Sequence, residues 1–397
     1  MRHRLVFCLL VALATCITAK AMPADRPYLV AIPFAHAVTI SGDGRVLLVN
    51  GQLWTEADGF IALRGTPDGY GIWPTAINYD GTVVAGEFSK QVLYQSLQHL
   101  EDFGIFRWTM KTGVQLLTPH LYPGPIKPAY LGPGAGPAKL VSDDGQEILF
   151  SCFGQSDLGS DGRFNCNSGP LPDQSYSAEK IWTSTGIEDV GQKFGHKFQN
   201  VSVSDDFQNI LVADSNLPSL GRIDAKDRYI KFQNYTGLQS TDDPLVMNRD
   251  ASFVAVNQDY LFGPPEIWDA SGQLLAPLKL LPGCKSYKVI AIDETGTIFI
   301  NAECPALQGP YFGRVGLRVS PQGVQTISDW LKSNGLPNTL PPYASIQVVS
   351  DNGKTIFGTL PGPPVVSSAD PENPAVIDAS YRSEAIQLYG AFVAHVP

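Results

Sequence analysis

The sequence predicts an all-β fold, a β-propeller of seven four-stranded blades, and three observations predict it. A phrase built on Asp-Gly recurs seven times along the chain, at a spacing of about 50 residues. A second phrase, an apolar strand that reaches Trp and then a Gly-bearing turn, follows most copies. The first and last strand-like stretches, PYLVAIPF (27–34) and YGAFVAHV (389–396), have no partner beside them in the sequence.

The first phrase is clearest as AINYDGTVVAGEF (76–88), where two β-branched apolar runs flank Asp80-Gly81. It returns as AVTISGDGRVLLVNG (37–51), AKLVSDDGQEILFS (138–151), VSVSDDFQNILVADS (201–215), LVMNRDASFVAVNQ (245–258), VIAIDETGTIFINAE (289–303) and SIQVVSDNGKTIFG (345–358). Alternating apolar residues around Asp-Gly signal a hairpin, because the turn needs positive φ, which Gly accepts at least cost. The turns fall near 43, 80, 144, 206, 250, 294 and 351. Phe207 and Ala251 replace the Gly in two copies, so those two turns are expected to be built differently.

The second phrase reads GQLWTEADGFIAL (51–63), GIFRWTMKTGVQLL (104–117), EKIWTSTGIEDV (179–190) and PEIWDASGQLLAPL (265–278), with weaker versions at 221–232 and 316–327. Trp54, Trp108, Trp182 and Trp268 therefore share one structural position. A recurring large aromatic there is expected to pack between neighbouring sheets rather than to stack on a ligand. Two hairpins per unit make four strands, the size of a propeller blade. ISDWLKSNG (327–335) is the best helical turn. Pairing of 27–34 with 389–396 would give the last blade its fourth strand and cover both loose edges. Seven blades is the expectation; six or eight are the alternatives, because repeats 4 and 6 are degenerate.

The A-x-A-I-S/N-x-D-G-x-V-V-x-G and F-R-W-T-x-x-x-G phrases, carried by Ala76 to Gly86 and Ile105 to Leu117, resemble the HAF-type extracellular repeat family of bacterial secreted proteins. SDWLKSNG, VVSDNGKTIFG and GAFVAHV resemble the end of such proteins. The resemblance implies a secreted, propeller-like bacterial protein and carries over no catalytic residue. The sialidase Asp-box, Ser-x-Asp-x-Gly-x-x-Trp, does not fit: Ser142 to Gly145 and Ser350 to Gly353 bring the Gly one residue too early and no Trp follows.

Residues 1–21 read as a cleaved secretory signal: Arg2 and Arg4, the apolar LVFCLLVALATCI, then Ala19-Lys20-Ala21. Lipid anchoring at Cys16 is the alternative, although Thr15 departs from the lipoprotein pattern. The rest, 22–397, reads as a single domain. Removing the signal takes three basic residues and no acid, leaving 25 basic against 38 acidic and a net charge of −13. That disfavours nucleic acid and anionic membrane, and no stretch is long enough to span a bilayer. The mature chain is expected to be a monomer that binds an unknown protein or glycan. Four cysteines remain, Cys152, Cys166, Cys284 and Cys304, and an exported chain is expected to pair them in two disulfides. Local pairing, Cys152–Cys166 and Cys284–Cys304, is the expected one of three connectivities.

The Asp-Gly and Trp turns are short and share one end of the ring. The long connections, 87–103, 118–137, 152–178, 232–243, 302–314, 332–344 and 359–388, share the other, where insertions usually build a binding face. On that face Tyr122 and Tyr130 offer aromatic contacts, and Asp157 and Asp161 lie between Cys152 and Cys166. Ca²⁺ is the ion such a loop would take, but Gly159 stands where an EF-type loop needs Asp or Asn, so no cofactor is expected otherwise. The loop acids Glu101, Asp102, Asp242, Asp243 and Glu372 are the only candidates for paired-carboxylate chemistry on a polysaccharide. No G-x-S-x-G elbow, H-E-x-x-H or phosphate-cradling loop occurs, and no catalytic residue is assigned. The function expected is non-catalytic binding of a protein or glycan by the long-loop face. A polysaccharide hydrolase or lyase and a cell-surface scaffold are the alternatives.

Overall fold

A computed structural model describes residues 26–32, 37–94, 97–117, 138–151, 179–190, 198–214, 219–224, 226, 228–235, 245–256, 265–307, 314–336, 340–360 and 390–397. After β1 (Tyr28–Ile32), the chain builds blade 1 from β2 (Ala37–Ile40), β3 (Leu47–Val49), β4 (Gln52–Thr55) and β5 (Gly59–Ala62). Blade 2 is β6 (Tyr70–Ile77), β7 (Val83–Tyr94), β8 (Leu97–Thr109) and β9 (Gly113–Leu116). Blade 3 is β10 (Ala138–Val141), β11 (Ile148–Ser151), β12 (Glu179–Thr183) and β13 (Gly186–Asp189). Blade 4 is β14 (Phe198–Val203), β15 (Ile210–Asp214), β16 (Ser219–Ile223) and β17 (Tyr229–Lys231).

Blade 5 has three strands, β18 (Leu245–Met247), β19 (Phe253–Val256) and β20 (Glu266–Asp269). Blade 6 is β21 (Lys285–Ile292), β22 (Ile298–Glu303), β23 (Val315–Ser320) and β24 (Gly323–Thr326), followed by helix α1 (Ile327–Ser333). Blade 7 is β25 (Ser345–Val349), β26 (Thr355–Thr359) and β27 (Ala391–His395), with β1 as its outer strand. Every pairing is antiparallel, and the seven sheets form the predicted propeller. The closure is also as expected: Tyr28 pairs with His395 and Ile32 with Ala391.

Each sheet buries both faces, so the core is divided among the seams between blades. Leu48, Leu53, Val84 and Phe106 fill the seam between blades 1 and 2, and Ala85, Ile105, Ile148 and Phe150 the next. Ile32, Phe357, Leu47 and Trp54 fill the seam that closes the ring. Helix α1 starts at Thr326, whose side chain accepts from the Asp329 amide at 3.1 Å, and it lays Trp330 edge-on against Phe299 over the seam between blades 6 and 7.

The repeated tryptophans are staples between blades. The Trp108 indole donates to the Arg64 carbonyl of blade 1 at 3.1 Å, and that of Trp268 to the Gln233 carbonyl beyond blade 4 at 2.8 Å. Trp268 is fully buried and stacks on Phe232. A Trp at this position thus joins its blade to the one before it, which explains why it recurs. The expected disulfide Cys284–Cys304 is present; Cys152 and Cys166 lie outside the described residues.

Three expectations are corrected. Residues 87–103 are not a long loop: β7 and β8 stay paired out to Tyr94 and Leu97, with the strand formers Phe88, Val92, Tyr94 and Phe103 spaced among polar residues. The hairpin expected over 265–278 gives only β20 and a single bridge, Trp268 to Leu274, since Pro277 cannot donate to a ladder. Finally, the turns at Phe207 and Ala251 are built like the others. Both residues adopt positive φ, 56° and 53°, against 74° at Gly81, and each amide closes the same turn bond, to Ser204 and Asn248.

Candidate functional site at the ring axis

The seven Asp-Gly turns share one hydrogen-bond pattern, and that pattern aims one side chain per blade at the axis. The first turn residue (Ser, Asn or Asp) accepts the amide that ends the turn, as Asn78 Oδ1 does from Val83 at 2.8 Å and Ser350 Oγ from Thr355 at 3.0 Å. The third, usually Asp, folds back on the chain two residues on. Asp80 Oδ1 accepts from the Thr82 amide at 3.0 Å and from Asn78 Nδ2 at 2.9 Å. Asp80 is therefore a turn residue with its acceptor capacity used locally. The fourth lies flush against the preceding blade: a Cβ on Gly81 would meet Val46 at 2.4 Å, and one on Gly145 would meet Val83 at 2.5 Å.

That leaves the second residue free to point inward. In blade order these are Gly42, Tyr79, Asp143, Asp205, Arg249, Glu294 and Asp351. They meet although they lie far apart in sequence. The Arg249 guanidinium pairs with Asp143, approaches Glu294 at 3.6 Å and sits 3.8 Å from the centroid of the Tyr79 ring. Tyr79 Oη donates to Glu294 Oε1 at 3.4 Å. Backbone bonds tie the same layer together: Asp43 N to Tyr79 O at 2.9 Å, Glu294 N to Asp351 O at 2.9 Å and Asn352 N to Gly42 O at 3.2 Å.

The electrostatics follow from one cation among four acids. Burial and then the neighbouring Asp351 push the Asp205 carboxyl well above the usual carboxylate range. Burial also raises Asp351, with Glu294 and Asp143 adding to it and Arg249 opposing it. Burial opposes the charge on Arg249, but its bond to the Asp143 carboxylate and the surrounding acidic groups outweigh it, so its pKa is raised. Tyr79 is raised by burial first and by Glu294 next. Asp143 Oδ1 and Arg249 Nε are buried without a protein partner.

This cluster was missed in the sequence, where the second turn residue looked like noise between two patterned positions. The signal was there: five of its seven occupants are ionisable carboxyls or Arg. Of the acids singled out earlier, Glu101 and Asp102 fall within the long hairpin of blade 2. Asp102 is in β8, paired with Lys90, and accepts from Tyr70 Oη at 2.8 Å. Asp242, Asp243 and Glu372 lie outside the described residues, as do Tyr122, Tyr130, Asp157 and Asp161. Among the described residues no group of three His, Cys, Asp or Glu is placed to hold a metal ion.

A different acid stands on the long-loop side of blade 2. Glu87, on β7, alternates with Val83 and Ala85 and so faces the seam with blade 3, where burial alone pushes its carboxyl up to about 7.

No family model and no curated protein matches the sequence. Solved propellers align with it at low identity. The β-propeller domain of Cps50 (Swd1) from Myceliophteria thermophila is 10% identical, with 93% of this chain and 98% of that one covered and a TM-score of 0.43. Dipeptidyl peptidase 4 of Porphyromonas gingivalis is 11% identical over 84% of this chain and 57% of its own, with a TM-score of 0.46. Virginiamycin B lyase from Staphylococcus aureus is 11% identical over 94% and 100%, with a TM-score of 0.42.

Proposed function

We propose that the chain is an exported, monomeric, non-catalytic binding protein that takes a protein or glycan on the long-loop face of its propeller. The observation that carries this reading is the unlike build of the two ends of the ring. At the Asp-Gly end the turns are short, bonded to one another and filled by the axial cluster. At the other end β7 and β8 run on past the edge of their blade. β6 accompanies β7 only as far as Lys90, yet four further pairs follow, from Gln91–Leu100 to Tyr94–Leu97. At about 3.3 Å per residue this arm extends about 13 Å beyond the sheet. Paired strands hold their shape in solvent at little entropic cost, which suits them to presenting contacts.

Export is supported by the apolar leader, the resemblance to HAF-type repeats and the Cys284–Cys304 disulfide, which fits an oxidising compartment. Among the described residues no helix is long and apolar enough to cross a membrane. The test is a glycan array and a surface-protein binding screen with purified protein, run beside a variant whose arm is cut back to a two-residue turn after Lys90. Binding lost in the shortened variant, with its melting temperature kept, is the expected result. Release of reducing sugar from a bound polysaccharide would show a hydrolase instead, and binding unchanged by the cut would move the site off the arm.

A further inference from the structure

Glu87 is a buried acid with nothing to neutralise it. It lies on β7 at the long-loop end of blade 2, faces the seam with blade 3 and is 8% exposed. Ser89, two residues on and therefore on the same face, is 5% exposed. Among the described residues neither side chain has a hydrogen-bond partner. Burial is the single influence on the Glu87 carboxyl. Neither Lys90, which sits over the Tyr70 ring on the opposite face, nor the buried Lys180 of blade 3 supplies it with a countercharge. An uncompensated acid in such a place costs stability, and a ligand cation would remove that cost.

The register places an aromatic beside it. Trp73 on β6 is directly opposite Glu87, and Gly71 is opposite Ser89. Facing residues share one side of the sheet, with Cβ atoms about 5 Å apart. Trp73 is 46% exposed, and its ring lies over Gly71, where a Cβ would meet it at 2.8 Å. Thr75 Oγ1 donates to the carbonyl of Ala138, the first residue of β10, at 2.6 Å. β11 and β12 reach their long-loop ends near this level too, at Ser151 and Glu179. Among the described residues, Trp73 and Glu87 therefore stand past the end of the strands of blade 3.

We propose that Trp73, Glu87 and Ser89 form a receptor for a lysine side chain of a protein partner: the ammonium pairs with the Glu87 carboxylate and donates to Ser89 Oγ, and the methylenes lie along the Trp73 indole. The slight exposure of Glu87 suits a slender alkyl chain rather than a pyranose ring, which decides for protein over glycan. The mature net charge of −13 draws basic partners. This inference rests on the reading of the long-loop face as the binding face and names what that face takes.

Isothermal titration calorimetry of the mature protein at pH 7 with Nα-acetyl-lysine methylamide, repeated in buffers of different ionisation enthalpy, tests this. Nα-acetyl-norleucine methylamide is the neutral control. Glu87, at about 7, is half protonated at this pH, so the wild type should release about half a proton per lysine bound. Trp73→Ala should bind about threefold more weakly. Glu87→Gln should bind at least about tenfold more weakly and release no proton. Norleucine bound as tightly as lysine, neither compound bound, or lysine binding unchanged in Glu87→Gln overturns the proposal. Repeating the surface-protein screen with Glu87→Gln separates this proposal from the reading it rests on. A partner that needs the arm but not Glu87 keeps the long-loop face and removes the lysine site; one that needs Glu87 but not the arm does the reverse.

Discussion

Replacing Glu87 by Gln should stabilise the protein at neutral and alkaline pH and leave it unchanged in acid. Glu87 is only 8% exposed, on β7 in the seam between blades 2 and 3. Its carboxyl moves from 4.5 to about 7 on folding, with burial as the cause. A raised acid favours the folded state below the unfolded value of 4.5, and that contribution is lost as the pH climbs through about 7. The gap of about 2.5 pH units, at 1.36 kcal/mol each, sets the full loss at about 3 kcal/mol. Gln keeps the shape and cannot ionise, so it avoids that loss. With about 2.1 cal/mol/K of unfolding entropy per residue, a chain of this length changes by about 0.8 kcal/mol per degree, so 3 kcal/mol is about 4 °C. Calorimetric melting of both proteins at pH 4 and pH 8 measures the difference directly, and other titrating groups cancel in it. The expected difference is near zero at pH 4 and about +4 °C at pH 8. A difference that is the same at both pH values, or that shrinks as pH rises, would refute the assignment of a neutral buried carboxyl.

Other changes test the repeat itself. Ala251 holds φ at 53° in a buried turn, so Ala251→Gly should raise stability by about 0.5–1 kcal/mol in urea titration, whereas Gly81→Ala, pressed against Val46, should lower it by more. Trp108→Phe removes the indole bond to Arg64 and should cost about 1–2 kcal/mol by the same assay, with no change in ligand binding. Opening Cys284–Cys304 by paired Ser substitution releases a 20-residue loop and should cost about 3 kcal/mol, read as a lower urea midpoint.

Most of the frame was legible because it is repeated. Asp80 and its counterparts are chosen by turn chemistry, Trp108 and Trp268 by the need to bridge a seam, and each copy strengthens the reading of the others. Even Phe207 and Ala251, which break the pattern, are held in it by the same turn bonds. The closure of 27–34 on 389–396 was legible from the opposite kind of evidence, two strands with no neighbour. The axial cluster was not, since Asp143 and Arg249 are 106 residues apart and meet only because a ring brings equal positions to one axis. Residues at the second turn position follow no local rule; what they meet is set by the other blades, as Arg249 meets Asp143, Glu294 and Tyr79. The arm at β7 and β8 was misread because its length, not its composition, marks it out.

The pairing of β1 with β27 has a consequence for how the ring is made. Tyr28 and His395 lie 367 residues apart, so the last blade draws one strand from each extreme of the chain. Contacts that distant are entropically the most costly to form and come late in folding. Blades 1 to 6 can each settle as their residues emerge, but until the final strand arrives β1 and β26 both present open edges. For that interval the molecule is an unfinished spiral with two adhesive rims, and the rate at which its last strand is delivered decides whether it closes on itself or on a neighbour.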